Sequence, residues 1–230
     1  MAENQSINMI NSYFEVQTRL EPYLNLVSEH VKKLGPCDTI LESGAGRGIL
    51  SLELLKNGKT VHAIDLKEEG LDMLMEDAQE QGLDSKLECY TADARQLSQD
   101  MFPDKFYDGV SSMLVLPLIK DTEGYLHEHY RVTKDGGTFV VSGPPKNPED
   151  LSKSIEWWGE LLKRRDDFQE IERHWDCVKE GIDKNRERLY NLYSKEEVAD
   201  LVEDCGFTVE EVRENPLHLN NKGYLVTATK

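Results

Sequence analysis

The segment Glu42-Ser43-Gly44-Ala45-Gly46-Arg47-Gly48 has the residue types and spacing with the clearest chemical use. Three glycines at alternate positions let a chain reverse sharply and let a ligand lie against bare backbone. A helix starting behind them would turn its first N–H groups and the positive end of its dipole toward a carboxylate or phosphate. Glu42 stands two residues ahead of the first glycine and sets a negative charge where a cationic group of the same ligand would sit. Asp65 follows Gly44 by 21 residues, the separation at which an acid ending a second strand accepts hydrogen bonds from a ribose diol. Asp93, with Ala94, follows a third strand-like run and could read an adenine amino group and ring edge. A lone Asp at a strand end usually caps a helix, and a glycine-rich turn needs no ligand. Three acids at the C-terminal ends of successive strands instead form the arrangement by which open α/β sheets bind ligands.

The elements that must hold these residues follow from hydropathy. Residues 1–34 read as two helices, with Ile7, Ile10 and Phe14 on one stripe and Leu20, Leu24, Val27, Val31 and Leu34 on another. Pro22 suits the first turn of the second, and Gly35-Pro36 ends it. Strands are expected over 39–41, 60–64, 86–90, 107–116 and 138–142, the last after Asp135-Gly136-Gly137. Helical patterns lie at 49–55 and around Leu71, Leu74 and Ala78. This alternation predicts a parallel sheet with helices on both faces. From 146 to 193 no strand is expected. There Leu151, Ile155, Trp158 and Leu162, then Phe168, Ile171, Trp175, Val178 and Ile182, recur at helical steps. Ser194 and Glu197 form a capping-box pattern ahead of Val198, Leu201 and Val202, and Gly206 marks that helix's end. Runs at 207–212 and 224–229 close the chain as an antiparallel pair. The expected organisation is one domain over 1–230: N-terminal helices (1–34), ligand-binding core (35–145), helical insertion (146–193), and a final helix with two strands (194–230).

The 230 residues carry 44 acidic and 27 basic side chains, a formal charge of -17, spread along the chain. Phosphate-backbone binding needs clustered cations, and the longest basic run is Lys163-Arg164-Arg165. Nucleic acid and anionic membrane surfaces are therefore not expected partners. Cys37, Cys89, Cys177 and Cys205 include no C-x-x-C pair, so neither zinc nor disulfides are expected, and no other metal set is evident. The N-terminus lacks a basic segment leading into an apolar one. The longest apolar run, Met113 to Ile119, falls well short of the roughly 20 residues of a membrane span. A cytoplasmic protein is expected. His127 and His129 lie two apart and face different ways on a helix, and His62 reads as a packed core histidine. His174, beside Trp175, is the one histidine considered as a general base.

A dinucleotide loop would read G-x-G-x-x-G, but Ile49 occupies its third-glycine position. The G-x-G-x-G spacing with a preceding acid resembles motif I of the class I S-adenosylmethionine-dependent methyltransferases. Asp65 matches that family's ribose-binding acid and Asp93-Ala94 its adenine site. The stretches from Phe106 to Met113, from Tyr130 to Gly137 and around Gly206-Phe207 are similar to its fourth strand, its approach to the fifth, and its C-terminal ending. The resemblance covers about 20–143 and 194–230. It implies a Rossmann-like seven-stranded sheet whose last strand is antiparallel, with a helical insertion after the fifth strand. It also implies S-adenosylmethionine held by Glu42, Gly44, Ala45, Gly46, Gly48, Asp65, Leu66, Asp93, Ala94, Ser112 and Met113; position in the chain alone sets Tyr13 and Phe14 of the first helix on the cofactor's other side. The implied reaction is direct displacement at the sulfonium methyl by an oxygen, nitrogen or carbon of a small organic molecule, where alignment counts for more than a base. The family's (D/N)-P-P-(Y/F/W) element is replaced by Ser111-Ser112-Met113-Leu114, which argues against nucleobase or amide acceptors. The insertion, rich in aromatics (Trp157, Trp158, Phe168, Trp175, Tyr190), is either a lid over the acceptor or a face packed on the domain or on a second copy in a homodimer. A second class of reading is a non-catalytic S-adenosylmethionine-binding partner or regulatory subunit. A nucleotide-cofactor oxidoreductase is disfavoured by Ile49.

Overall fold

The computed structural model describes residues 8–185 and 189–230, so Ile7 and residues 186–188 of the insertion lie outside the described residues. Two helices lead: α1 (Met9–Gln17), capped by the Asn8 side chain, and α2 (Glu21–Lys33), with Pro22 in its first turn. Then β1 (Thr39–Ser43), α3 (Ile49–Lys56), β2 (Thr60–Asp65), α4 (Glu68–Glu80), β3 (Leu87–Thr91), β4 (Tyr107–Met113), α5 (Thr122–Val132) and β5 (Thr133–Gly143) alternate. The insertion forms α6 (Pro148–Lys163) and α7 (Phe168–Asn185), and α8 (Lys195–Asp204), β6 (Thr208–Asn215) and β7 (Gly223–Thr229) end the chain. The Ser194–Glu197 capping box is formed in both directions.

The seven strands lie in the order β3-β2-β1-β4-β5-β7-β6. Strands β1 to β5 are parallel, and β7 runs antiparallel to both neighbours, as the resemblance implies. Because β1 is flanked by β2 and β4, consecutive crossovers leave it in opposite directions and open a crevice at its C-terminal end. Side-chain alternation splits the core in two. Ile40, Val61, Ala63 and Val140 face α2, α3 and α4, whereas Leu41, Ile64, Val110 and Val141 face α5 and α8. Buried His30 of α2 ties the first layer to the sheet, with Nδ1 at 2.9 Å from the Ser111 hydroxyl and Nε2 at 2.8 Å from that of Ser142. Burial pushes its pKa down to about 3 and holds the ring neutral. His62 is likewise core, 2.9 Å from the Tyr107 hydroxyl. His127 is exposed, and His129 is buried against the Tyr125 carbonyl at 2.6 Å.

Strand boundaries differ from expectation most at β4 and β5. β4 stops at Met113 rather than Leu116, because Leu114 takes a left-handed φ of 65° and Leu116–Leu118, with Pro117, make a short 3-10 turn. β5 begins at Thr133, five residues early, absorbing Asp135-Gly136-Gly137. Pairing jumps from Tyr107↔Thr133 to Gly109↔Thr138, so the expected turn is an irregularity inside a strand. Lys86 ends a 3-10 turn and β3 starts one residue later.

Candidate functional site

The glycine loop sits over the crevice between β1 and α3. Gly44, Gly46 and Gly48 all have positive φ (74°, 56° and 70°), which glycine adopts without penalty. Two of them are glycine for different reasons. A Cβ on Gly48 would overlap the Leu74 side chain of α4, whereas one on Gly46 would meet no protein atom within 4 Å and would project into open cleft. Gly48 caps α3 without a side-chain hydrogen bond. The Gly44 and Ala45 N–H groups donate to the Ile64 carbonyl at 2.8 and 3.0 Å. Asp65 accepts from the Gly46 N–H at 2.9 Å on one oxygen and from the Lys67 N–H at 2.9 Å on the other. The acid expected to hold a ribose thus also holds the loop. A carboxylate has about four lone-pair sites, so both tasks are compatible.

Glu42 is buried behind the loop and accepts a hydrogen bond from the Ser51 hydroxyl of α3. Burial pushes its pKa up to about 7, against the opposing pull of Ser51 and with a smaller push from the Asp65 charge. A cation entering the cleft would relieve this strain by pairing with the ionised form. Burial also raises the Tyr13 phenol to about 12, so it stays protonated.

Three adjoining cavities surround these residues. The first, about 340 Å³, is walled by Glu42, the loop from Gly44 to Gly48, Asp65, Met113 and Tyr13. The second, about 440 Å³, runs from Asp65 past Leu66, Asp93 and Ala94. Leu66 is 66% exposed, a large apolar side chain offered as a flat wall beside a polar edge. The third, about 640 Å³, is an apolar chamber under α6 and α7. Leu114 and Leu118 line all three. Leu114, a non-glycine residue held at positive φ, is strained where the cavities meet.

The structure therefore gathers Tyr13, Glu42, Gly44, Ala45, Gly46, Gly48, Asp65, Leu66, Asp93, Ala94 and Met113 around two connected clefts. It does not bring Ser112 there. Alternation turns that side chain to the other face of β4, where its hydroxyl lies 2.8 Å from Tyr125 and is fully buried. Asp93 is engaged by Arg95, whose guanidinium reaches both carboxylate oxygens (2.9 and 2.6 Å) and lowers its pKa. His174, the candidate base, is not a wall of any of these cavities. It lies between α7 and α1 with Nδ1 3.2 Å from the Ser12 hydroxyl.

Sequence reasoning missed Arg47. Its guanidinium donates to both oxygens of Asp77 on α4 (3.0 and 3.1 Å) and to Asn11 of α1 at 2.7 Å, and it stacks 4.0 Å from the Phe14 ring centroid. One loop residue thereby latches α1 over the cleft. No spacing in the sequence links 11, 14, 47 and 77. Around the chamber, α7 packs on α1, and Ile171, Trp175 and Val178 are buried, so the insertion's stripe faces its own chain. Trp158 donates its indole N–H to the Leu217 carbonyl at 2.7 Å, joining α6 to the β6–β7 connection. Among the described residues no three His, Cys, Asp or Glu side chains converge as a metal site requires. None of the described helices is long and apolar enough to cross a membrane.

Residues 41–141 match the family model described as "Methyltransferase domain". The chain is 32% identical over 126 residues to the ubiquinone biosynthesis O-methyltransferase of Pseudomonas entomophila, a match covering 55% of this chain and 52% of that protein. The chain thus spans about half the length of the curated relatives it matches. Among solved structures it resembles a SAM dependent methyltransferase from Aquifex aeolicus (20% identity, TM-score 0.64, 97% of this chain and 98% of that one). It also resembles the Burkholderia thailandensis 1,6-didemethyltoxoflavin-N1-methyltransferase, solved with 1,6-didemethyltoxoflavin and S-adenosylhomocysteine (18% identity, TM-score 0.65, 96% and 84%). At these identities the structural likeness is one of fold.

Proposed function

We propose, on the premise that residues 41–141 form a class I S-adenosylmethionine-dependent methyltransferase domain, that the chain methylates an oxygen, nitrogen or carbon of a small, largely apolar organic molecule. The observation that carries this reading is the continuity of two polar clefts with an apolar chamber at Leu114 and Leu118. The residues fit the cofactor group by group. Gly46 leaves backbone bare for the methionine end, and buried Glu42 is matched to an ammonium. Asp65 retains lone pairs for a ribose diol, and Leu66 with Asp93-Ala94 offers a flat wall and a polar edge for adenine. The cofactor, when bound, supplies a methyl on a sulfonium that is already a good leaving group.

The protein's part is placement. Leu114 stands where the two clefts meet the chamber, and α1, latched by Arg47, shuts one side. Helices α6 and α7 roof the chamber and exclude water, so that a nucleophile is held in line. On this reading 146–193 is a lid, and its proteolytic cutting slows when cofactor binds; unchanged cutting would count against that role.

Calorimetry with S-adenosylmethionine and with NAD tests the cofactor. Binding of the former is expected, weakened by about 1–3 kcal/mol in Asp65→Ala; tight NAD binding in its place would sink the assignment. Screening acceptor mixtures for S-adenosylhomocysteine release tests turnover. Cofactor binding without release across broad metabolite extracts would instead mark a non-catalytic cofactor-binding subunit.

A further inference from the structure

His218 lies in the connection from β6 to β7, just after Leu217, and forms part of the chamber wall without lining the glycine-loop cleft. Its residue is 2% exposed, and neither ring nitrogen has a hydrogen-bond partner. The other buried histidines differ. His30 satisfies both nitrogens with serines, His62 meets Tyr107, and His129 meets the Tyr125 carbonyl with one nitrogen and leaves the other unpaired. A buried polar group without a partner is costly and calls for a reason.

The surroundings supply one. The Trp158 ring lies 5.6 Å from the imidazole, centroid to centroid, and Leu151, Ile155 and Leu217 complete an apolar end. Tyr13, Gln17, Tyr23 and Lys67 also border the chamber, but where it shares walls with the glycine-loop cleft, and Tyr190 borders it where it shares walls with the cleft of Asp93. Among the described side chains that wall this chamber alone, His218 is the one able to accept a hydrogen bond, because indole N–H groups only donate. Burial holds the imidazole neutral, with its pKa pushed down to about 3, so one nitrogen accepts while the other donates. Trp158 and Trp175 provide flat faces suited to a ring.

We propose that His218 selects the methyl acceptor: an aromatic molecule carrying a hydroxyl turns the imidazole, whose nitrogens are both covered, toward the chamber and donates to one of them. This rests on the reading of the chamber as the acceptor site. It assigns His218 a binding role, with the ring polar group fixing the direction in which the acceptor lies.

The test uses the full chain saturated with S-adenosylhomocysteine and two probes of one shape, 2-naphthol and 2-methylnaphthalene, titrated by NMR. In the wild-type protein 2-naphthol is expected to move the ring-nitrogen resonances of His218, and 2-methylnaphthalene to leave them in place. This arm needs no variant. In His218→Phe, which keeps ring bulk, the ratio of the two dissociation constants is expected to shift about tenfold toward 2-methylnaphthalene, equal to about 1.4 kcal/mol. Both probes shifting the chamber tryptophans with an unchanged ratio and silent His218 nitrogens would overturn the role of His218 and leave the chamber as acceptor site. Neither probe perturbing the chamber tryptophans would overturn the acceptor-site reading itself, and the role of His218 with it.

Discussion

Replacing Glu42 with Gln changes how stability responds to pH, and the sign follows from burial. The carboxyl titrates near 7 in the folded protein, against 4.5 for an ordinary glutamate. Between those values the native state keeps a proton that the unfolded chain has already lost. Stability therefore falls as pH rises through the interval: the contribution is full below the unfolded value and gone above the folded one. An interval of about 2.5 pH, at about 1.4 kcal/mol per unit, amounts to about 3 kcal/mol, of which about 2 kcal/mol falls between pH 5.5 and pH 8. Glutamine keeps an acceptor for the Ser51 hydroxyl and carries no charge at any pH. Urea unfolding of the cofactor-free wild type and of Glu42→Gln at pH 5.5 and pH 8 isolates the residue, since all other groups are common to both. The wild type should lose about 2 kcal/mol relative to the variant over this range. Parallel loss in the two proteins would refute the buried-acid reasoning. A companion readout follows from the proposed ammonium contact: cofactor binding near pH 6.5 should release a proton from the wild type, seen as a buffer-dependent heat, and none from the variant.

The loop glycines should separate binding from folding. Gly46→Ala strains a left-handed residue by about 1 kcal/mol and sends a methyl into open cleft, so cofactor affinity by calorimetry should fall at least about tenfold with a small loss in urea stability. Gly48→Ala, which drives a methyl into Leu74, should instead cost about 2–3 kcal/mol of stability. Arg47→Ala removes the bidentate pair with Asp77, the bond to Asn11 and the stacking on Phe14. Amide exchange across α1 should accelerate and cofactor binding weaken by about 1–3 kcal/mol, while amides of the central strands keep their protection.

Much of this could be read from the sequence because the signals are local. The loop, its flanking acids and the alternating strands lie within short windows. The helical stripes of α6 and α7 and the Ser194 cap depend only on spacing. Four residues were missed or misplaced for physical reasons. Ser112 belonged to the right strand end, but period-2 alternation sends its side chain to the opposite face from Met113, and that face was not assigned in advance. His174 drew attention by standing beside an aromatic in the insertion. His218, in an unremarkable turn after Pro216, reaches the chamber only because β6 and β7 fold back beneath α6. The Arg47 latch joins residues up to 66 apart in sequence, from Asn11 to Asp77, and no periodicity encodes such a contact.

Asp65 has a wider consequence. One carboxylate both positions the glycine loop and faces the cleft, so on the proposed function the loop's shape and its choice of ligand are a single trait. A substitution there that favoured a different nucleotide would also release the Gly46 and Lys67 amides and unmake the cradle. The chamber is under no such restriction. Its walls come from α6, α7 and the β6–β7 connection, which can change side chains without touching Asp65. On the proposed function, variation in this architecture is thus channelled: the donor half is locked against piecemeal change, and new acceptors can be explored one wall residue at a time.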